Sequence, residues 1–140
     1  MKRRKEKAFT LVELLVVILI ISMLAGFVAP NLFKHLSKAK RDIAKTKIAN
    51  IESALMRFSI DCGRFPDDTE ALEALIEPPA DLEETWNGPY IKLSELLDPW
   101  GNPYIYAAEG IENPGSFDLI SYGADGEYGG EGDNEDIYNN

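Results

Sequence analysis

The chain has 140 residues, enough for one ordinary domain. Its net charge of −10 is unevenly spread: residues 1–8 carry +4, residues 9–65 another +4, and residues 66–140 carry −18. The acidic half excludes nucleic acid as its natural ligand, because phosphate binding needs Lys and Arg, and it invites cations. One cysteine (Cys62) and one histidine (His35) exclude an intramolecular disulfide and leave little for a transition-metal or triad-type site.

The N-terminus opens with a basic cluster, Met1-Lys2-Arg3-Arg4-Lys5-Glu6-Lys7-Ala8. Phe9-Thr10-Leu11-Val12-Glu13 follows, and then Leu14 to Phe33, twenty residues without a charge. That length matches the roughly 20 residues a helix needs to span a bilayer. The basic flank predicts the N-terminus inside and the remainder outside. A removable secretory signal has the same order of features, but this apolar run exceeds a typical signal core. Small-x-small cleavage patterns are weak at Leu24-Ala25-Gly26 and Val28-Ala29-Pro30. Glu13 stands out, since a carboxylate at mid-bilayer costs on the order of 2.5–3.5 kcal/mol. It either lies near the interface and reaches water or answers a positive charge.

Pro30 lacks an amide hydrogen and predicts a kink or local opening of the helix, with Gly26 loosening the same stretch. From Lys34 the pattern turns amphipathic. Leu36, Ala39, Ile43 (or Ala44), Ile48, Ile51, Leu55 and Phe58 form one expected core-facing stripe, with Lys38, Lys40, Arg41, Lys45 and Lys47 on other faces. The basic face could meet anionic lipid or an acidic neighbour, or simply be solvated. Gly63 and Pro66 predict the helix end near Asp61-Cys62-Gly63. His35 reads as an exposed helical residue and Cys62 as a small buried hydrophobe.

Acidic Asp67-Asp68-Thr69-Glu70 before Ala71 to Ile76 predicts a short second helix, stopped by Pro78-Pro79. Residues 80–90 read as loop. Residues 103–107 form a weak strand candidate, and Asn113-Pro114-Gly115 a turn. Residues 116–122 form a good strand, with Phe117, Leu119 and Ser121 on one face. A helix followed by two or three antiparallel strands predicts an α+β fold, the sheet laid on the amphipathic helix. The segment from Ser121 to Ile137 holds six carboxylates between Asp125 and Asp136, and five glycines. Such a segment either stays disordered by self-repulsion or curls its oxygens around a hard cation such as Ca²⁺. An EF-hand does not fit, because ligand spacing is only partial and no helix precedes it.

Basic leader, small residue, Phe-Thr-Leu-Val-Glu and apolar helix together resemble the class III signal of type IV pilins and type II secretion pseudopilins. The resemblance implies cleavage by a prepilin peptidase between Ala8 and Phe9, methylation of the new Phe9 amine, and pairing of Glu13 with a neighbouring subunit's amine. Ala8 departs from the usual Gly at that point. Asp98-Pro99-Trp100-Gly101-Asn102-Pro103-Tyr104 and Gly123-Ala124-Asp125-Gly126 with Glu135-Asp136-Ile137 narrow the resemblance to major pseudopilins of type II secretion. That family implies a C-terminal calcium loop. Asp125 would be a ligand, the ring would be closed by one or more of Asp133, Glu135 and Asp136, and the backbone carbonyl of Tyr122 would contribute.

Four segments follow: a cytoplasmic leader over 1–8, a membrane and filament-core helix over 9–33, its amphipathic continuation over 34–65, and an acidic periplasmic domain over 66–140. The implied function is that of a non-enzymatic subunit of a helical homo-oligomeric filament, the periplasmic pseudopilus that exports folded proteins through the outer membrane. Minor pseudopilins and an inner-membrane assembly platform would be its partners. Two rivals are a type IV pilus-like fibre subunit for adhesion or DNA uptake and a membrane-anchored periplasmic calcium-binding or hydrolytic domain. Adhesive pilins commonly carry a disulfide-bounded loop, which a single cysteine cannot form.

Overall fold

A computed structural model describes residues 9–139. Helix α1 runs from Leu11 to Cys62. Three short strands follow: β1 (Ile105–Ala107), β2 (Asp118–Ser121) and β3 (Ile137–Tyr138). The chain divides into two compact units, one ending at Leu36 and the other spanning Ser37–Asn140.

In the first unit α1 is apolar on all sides. Its most apolar 18-residue window has a mean hydropathy of 2.8, and none of that window is buried. Leu14, Ile18, Ile21 and Phe27 are all exposed. A helix apolar all round needs a surrounding of lipid or other helices. The helix continues through Pro30 as helix, so the expected local opening is not present. Proline removes only its own amide donor, and the bonds before and after it still carry the turn.

In the second unit the same helix becomes one side of a core. Ala44, Ile48, Ile51, Leu55 and Phe58 are buried at helical spacing. They meet Leu72 and Leu75, Leu96, Tyr104, Phe117 just before β2, and the sheet residues Leu119 and Ile137. Each fully buried Leu, Ile or Phe contributes about 1.5–3 kcal/mol relative to exposure. The expected single stripe needs a correction: Leu36, Ala39 and Ile43 are exposed. The core-facing row begins at Ala44, and Ile43 lies about 100° around the helix from it.

The helix ends as its sequence predicts. Gly63 has a φ of +76°, and its amide donates to the Ser59 carbonyl at 2.9 Å. His35 is exposed, while Cys62 is half-buried against the core rather than fully enclosed. The Tyr90 hydroxyl donates to Asp61 at 2.8 Å and accepts from the Asn87 amide at 2.9 Å. Burial, with Asp61 alongside, pushes that phenol up to about 12, so it keeps its proton.

The expected second helix is a 3-10 helix over Ala71–Leu75. The turn before it is closed by an acidic box: Asp67 Oδ1 accepts from the Glu70 amide at 2.9 Å, and Glu70 Oε2 accepts from the Asp67 amide at 2.9 Å. Ala71 then sits at a φ of +47°, in the left-handed region, so a regular α-helix cannot grow through it. Arg64 grips Glu70 with two bonds of 2.6 and 2.7 Å and reaches Asp81 at 3.0 Å. Glu70 is held below the ordinary carboxylate range, chiefly by this bond to Arg64.

The sheet is antiparallel in the order β1-β2-β3, pairing Tyr106 with Leu119 and Ser121 with Ile137. Phe117, Leu119 and Ser121 are buried, as their alternation predicts. Asp118 is buried too, against expectation. It accepts four bonds, from the Ile111, Glu112 and Asn113 amides and the Asn113 side chain, at 2.7–3.0 Å.

Candidate functional site

Two regions carry the residues singled out from the sequence. The first is the front of α1. Ala8 lies outside the described residues; Phe9 is exposed. Thr10 and Glu13 bond reciprocally. The Glu13 amide donates to Thr10 Oγ1 at 3.2 Å, and the Thr10 amide donates to Glu13 Oε2 at 3.4 Å. This is a Thr-x-x-Glu capping box, which satisfies amides that a helix start leaves unpaired. A carboxylate at a helix N-terminus also gains from the helix dipole. Glu13 therefore has an intrachain role that the sequence reading did not assign, and Thr10 is its partner.

The second region is the acidic loop after β2. The turn before β1 supports it. Asp98 is buried; its Oδ1 accepts from the Trp100 and Asn102 amides at 3.0 and 2.9 Å, and its Oδ2 accepts from the Ser121 hydroxyl at 2.7 Å. The turn thus set aims Asn102, whose side-chain amide donates to the Gly123 carbonyl at 2.8 Å. Gly123 has a φ of +68°, and a Cβ there would lie 2.6 Å from the Asp133 carbonyl oxygen. Only glycine allows the two limbs of the loop to close, with the Ala124 amide donating to that same carbonyl at 2.9 Å.

The predicted ligands fall in different places. Asp125 is exposed and accepts from the Glu127 amide at 3.1 Å. Asp133 Oδ1 accepts from the Ser37 hydroxyl on α1. Glu135 pairs with Arg41 Nη2 at 2.9 Å. Asp136 Oδ2 accepts from the Gly129 amide at 2.9 Å and from the Tyr138 hydroxyl at 3.4 Å. Tyr122 is half-buried, its ring edge-on to Tyr128 at 6.2 Å. Among the described residues no three or more acidic, His or Cys side chains converge, so the four acids do not form one ring. Mutual repulsion disfavours convergence, while Ser37 and Arg41 draw two of the acids to α1.

One observation fits a hard cation. Asp136 Oδ1 is buried and has no hydrogen-bond partner among the described residues. An orphaned buried carboxylate oxygen costs at least about 1–3 kcal/mol, which a bound cation would relieve. Burial, with the charge of Asp136 beside it, pushes the Tyr138 phenol up to about 12, so it remains a donor to that carboxylate at neutral pH.

Ser37 and Asn139 were not singled out from the sequence; Arg41 was read only as part of the basic face, and Asn102 only as part of the turn motif. Asp98 and Asn102 sit in the recognised turn, so that motif carried a usable signal. Arg41 and Ser37 meet residues more than ninety positions away, and local pattern holds no trace of that. Buried Asn139 bridges Leu119, Phe117 and Glu52, and so locks β3 into place.

Comparison with known proteins agrees with this architecture. Residues 31–140 match the family model for type II secretion system protein G. Residues 3–29 match the prokaryotic N-terminal methylation motif. A type II secretion system core protein G from Vibrio cholerae serotype O1 is 41% identical, covering 99% of this chain and 94% of that one. Its counterpart from Pseudomonas aeruginosa is 39% identical, covering 99% and 98%. The crystal structure of the major pseudopilin of enterohaemorrhagic Escherichia coli superposes with a TM-score of 0.62 at 31% identity, covering 79% of this chain and 94% of that one. The long apolar helix, the small antiparallel sheet and the near full-length identity converge, and the chain belongs to the type II secretion system protein G family.

Proposed function

We propose that this chain is the repeating structural subunit of a periplasmic pseudopilus, the filament that drives folded proteins through the outer membrane in type II secretion. One observation carries the reading. A single helix has one face of its C-terminal half buried in a folded domain, while the apolar window of its N-terminal half is unburied among the described residues. Before assembly, lipid covers those side chains; in a filament, neighbouring helices do. The fibre-subunit rival shares this helix, but the protein G match over residues 31–140 favours the pseudopilus.

The basic leader stays cytoplasmic and the domain from Lys34 onward is periplasmic, as the charge asymmetry supports. A prepilin peptidase cuts between Ala8 and Phe9 and methylates the Phe9 amine; the methylation-motif match supports this step. Glu13 then exchanges its bond to Thr10 for the amine of a neighbouring subunit, an ion pair that neither charge could replace alone at lipid depth. An inner-membrane assembly platform extracts the subunit, and minor pseudopilins join the same filament. The role is structural, as in the family.

The acidic loop binds one Ca²⁺. Asp136, through its unpartnered oxygen, and Asp125 are the favoured side-chain ligands, with the Tyr122 carbonyl; Asp133 and Glu135 are the remaining candidates. The ion would neutralise and cross-link a loop that repels itself, stapling a domain without disulfides. Mass spectrometry of the mature N-terminus tests the main reading. A species beginning at methylated Phe9 is expected; a mature chain still beginning at Met1 overturns it.

A further inference from the structure

Arg41 and Ser37 stand on α1 at the start of the second unit, one helical turn apart. Both reach the far limb of the acidic loop. Arg41 Nη1 donates to the Gly132 carbonyl at 2.7 Å, and its Nη2 pairs with Glu135 at 2.9 Å. The Ser37 hydroxyl donates to Asp133. Two of the three candidate ligands on this limb, Asp133 and Glu135, are thereby turned toward the helix. The third, Asp136, is left with a buried oxygen that meets no donor among the described residues. The guanidinium reads one carbonyl and one carboxylate at once, which fixes direction as well as distance.

We propose that Arg41, aided by Ser37, is the positioning residue of the cation loop. It holds Glu135 as a tether to α1, not as a ligand, and so presents Asp136 to the ion. This assignment rests on the calcium reading above, and it makes the loop and the first turns of the periplasmic helix one cooperative element. Ion binding then stiffens residues 37–45 as well as the loop, because the far limb cannot move without pulling on Arg41.

Two properties separate a tether from a ligand. A ligand is lost whenever its carboxylate is lost. A tether survives if both partners exchange sign, since the opposite charges still meet. Support of a ligand by an outer partner is commonly worth ten- to hundredfold in metal affinity.

The test uses the full chain in detergent micelles, titrated with CaCl₂ by calorimetry and followed by hydrogen exchange with and without chelator. Arg41→Glu and Glu135→Arg, each alone, are expected to weaken Ca²⁺ binding roughly tenfold. The double exchange is expected to recover most of that loss, and Arg41→Lys to fall in between. In chelator, Arg41→Ala is expected to raise exchange across residues 129–136 while Leu119 to Ser121 stay protected. Single variants that bind as the unaltered chain does, or a double exchange as weak as the singles, overturn the tether. If the unaltered chain takes up no Ca²⁺, the calcium reading itself falls, and this inference with it. Unchanged exchange over residues 129–136 in Arg41→Ala overturns the positioning role separately.

Discussion

Asp98 and Ser121 meet in the buried interior, the hydroxyl donating to Asp98 Oδ2 at 2.7 Å. They lie twenty-three positions apart in the chain, and their bond joins the turn before β1 to the last residue of β2. The same carboxylate organises the turn through two backbone amides. Asp98→Ala strands these donors and opens a hole under the sheet. The expected loss is about 2–4 kcal/mol of stability, read as a lowered urea midpoint in residues 37–140, the unit that holds every buried apolar side chain among the described residues. A midpoint unchanged by the substitution would show that the bond contributes nothing net.

Asp118 sets an acid limit. Burial alone would raise its pKa, but the amides of Glu112, Ile111 and Asn113 and the Asn113 side chain outweigh that and hold the carboxyl below its ordinary value. Glu70, held by Arg64, and Asp67, held by the Thr69 hydroxyl, are shifted the same way. Carboxyls depressed on folding contribute stability above their unfolded values, near pH 4, and lose it as pH falls through their native ones. Urea midpoints should thus fall below about pH 4. Asp118→Asn should be less stable at pH 7 and flatter over that range.

Ala71 is held at a φ of +47° with no glycine to accommodate it. Ala71→Gly should stabilise the domain by up to about 1 kcal/mol, or leave it unchanged where unfolded-chain entropy offsets the relieved strain. Thermal unfolding of the two proteins side by side decides; a clear drop in the variant's midpoint refutes the strain argument.

Chelation should lower the melting temperature of the domain, and Asp136→Asn should abolish the difference between calcium and chelator. The variant removes the acid whose Oδ1 is buried without a partner. It should cost little in chelator, where the orphaned oxygen has no ion to hold. Identical calorimetric scans with and without Ca²⁺ in the unaltered domain would refute the staple.

Glu13→Ala should leave membrane insertion intact and block filament assembly, because apolar length drives insertion and charge pairing drives assembly. Thr10→Val removes the hydroxyl of the cap but leaves the carboxylate. It should assemble better than Glu13→Ala in a crosslinking assay of membrane fractions. Normal assembly by the Glu13 variant would dispose of the charge-pairing role.

Local pattern carried a large share of this molecule. Twenty uncharged residues after the basic N-terminal cluster specify a long apolar helix, and Gly63 specifies its end, because both follow from backbone geometry acting over a few residues. Strand β2 was legible from its alternation. β3 was not, since Ile137 and Tyr138 become a strand only by pairing with β2. The core stripe was placed partly on the wrong side for the same reason: Ile43 and Ala44 both suit a helical period, and only the packed domain selects Ala44.

The composition of the acidic loop raised the expectation of a cation, but did not say where its acids would point. Six carboxylates close in sequence repel one another equally well in many arrangements. What breaks the tie is Arg41 and Ser37, brought in from α1 by the collapse of the core. Sequence alone determined the elements whose energy is local: the greasy rod, its stop and the tight turns. Tertiary structure alone decided which charged groups face each other, because Coulomb forces act between neighbours in space whatever their distance along the chain.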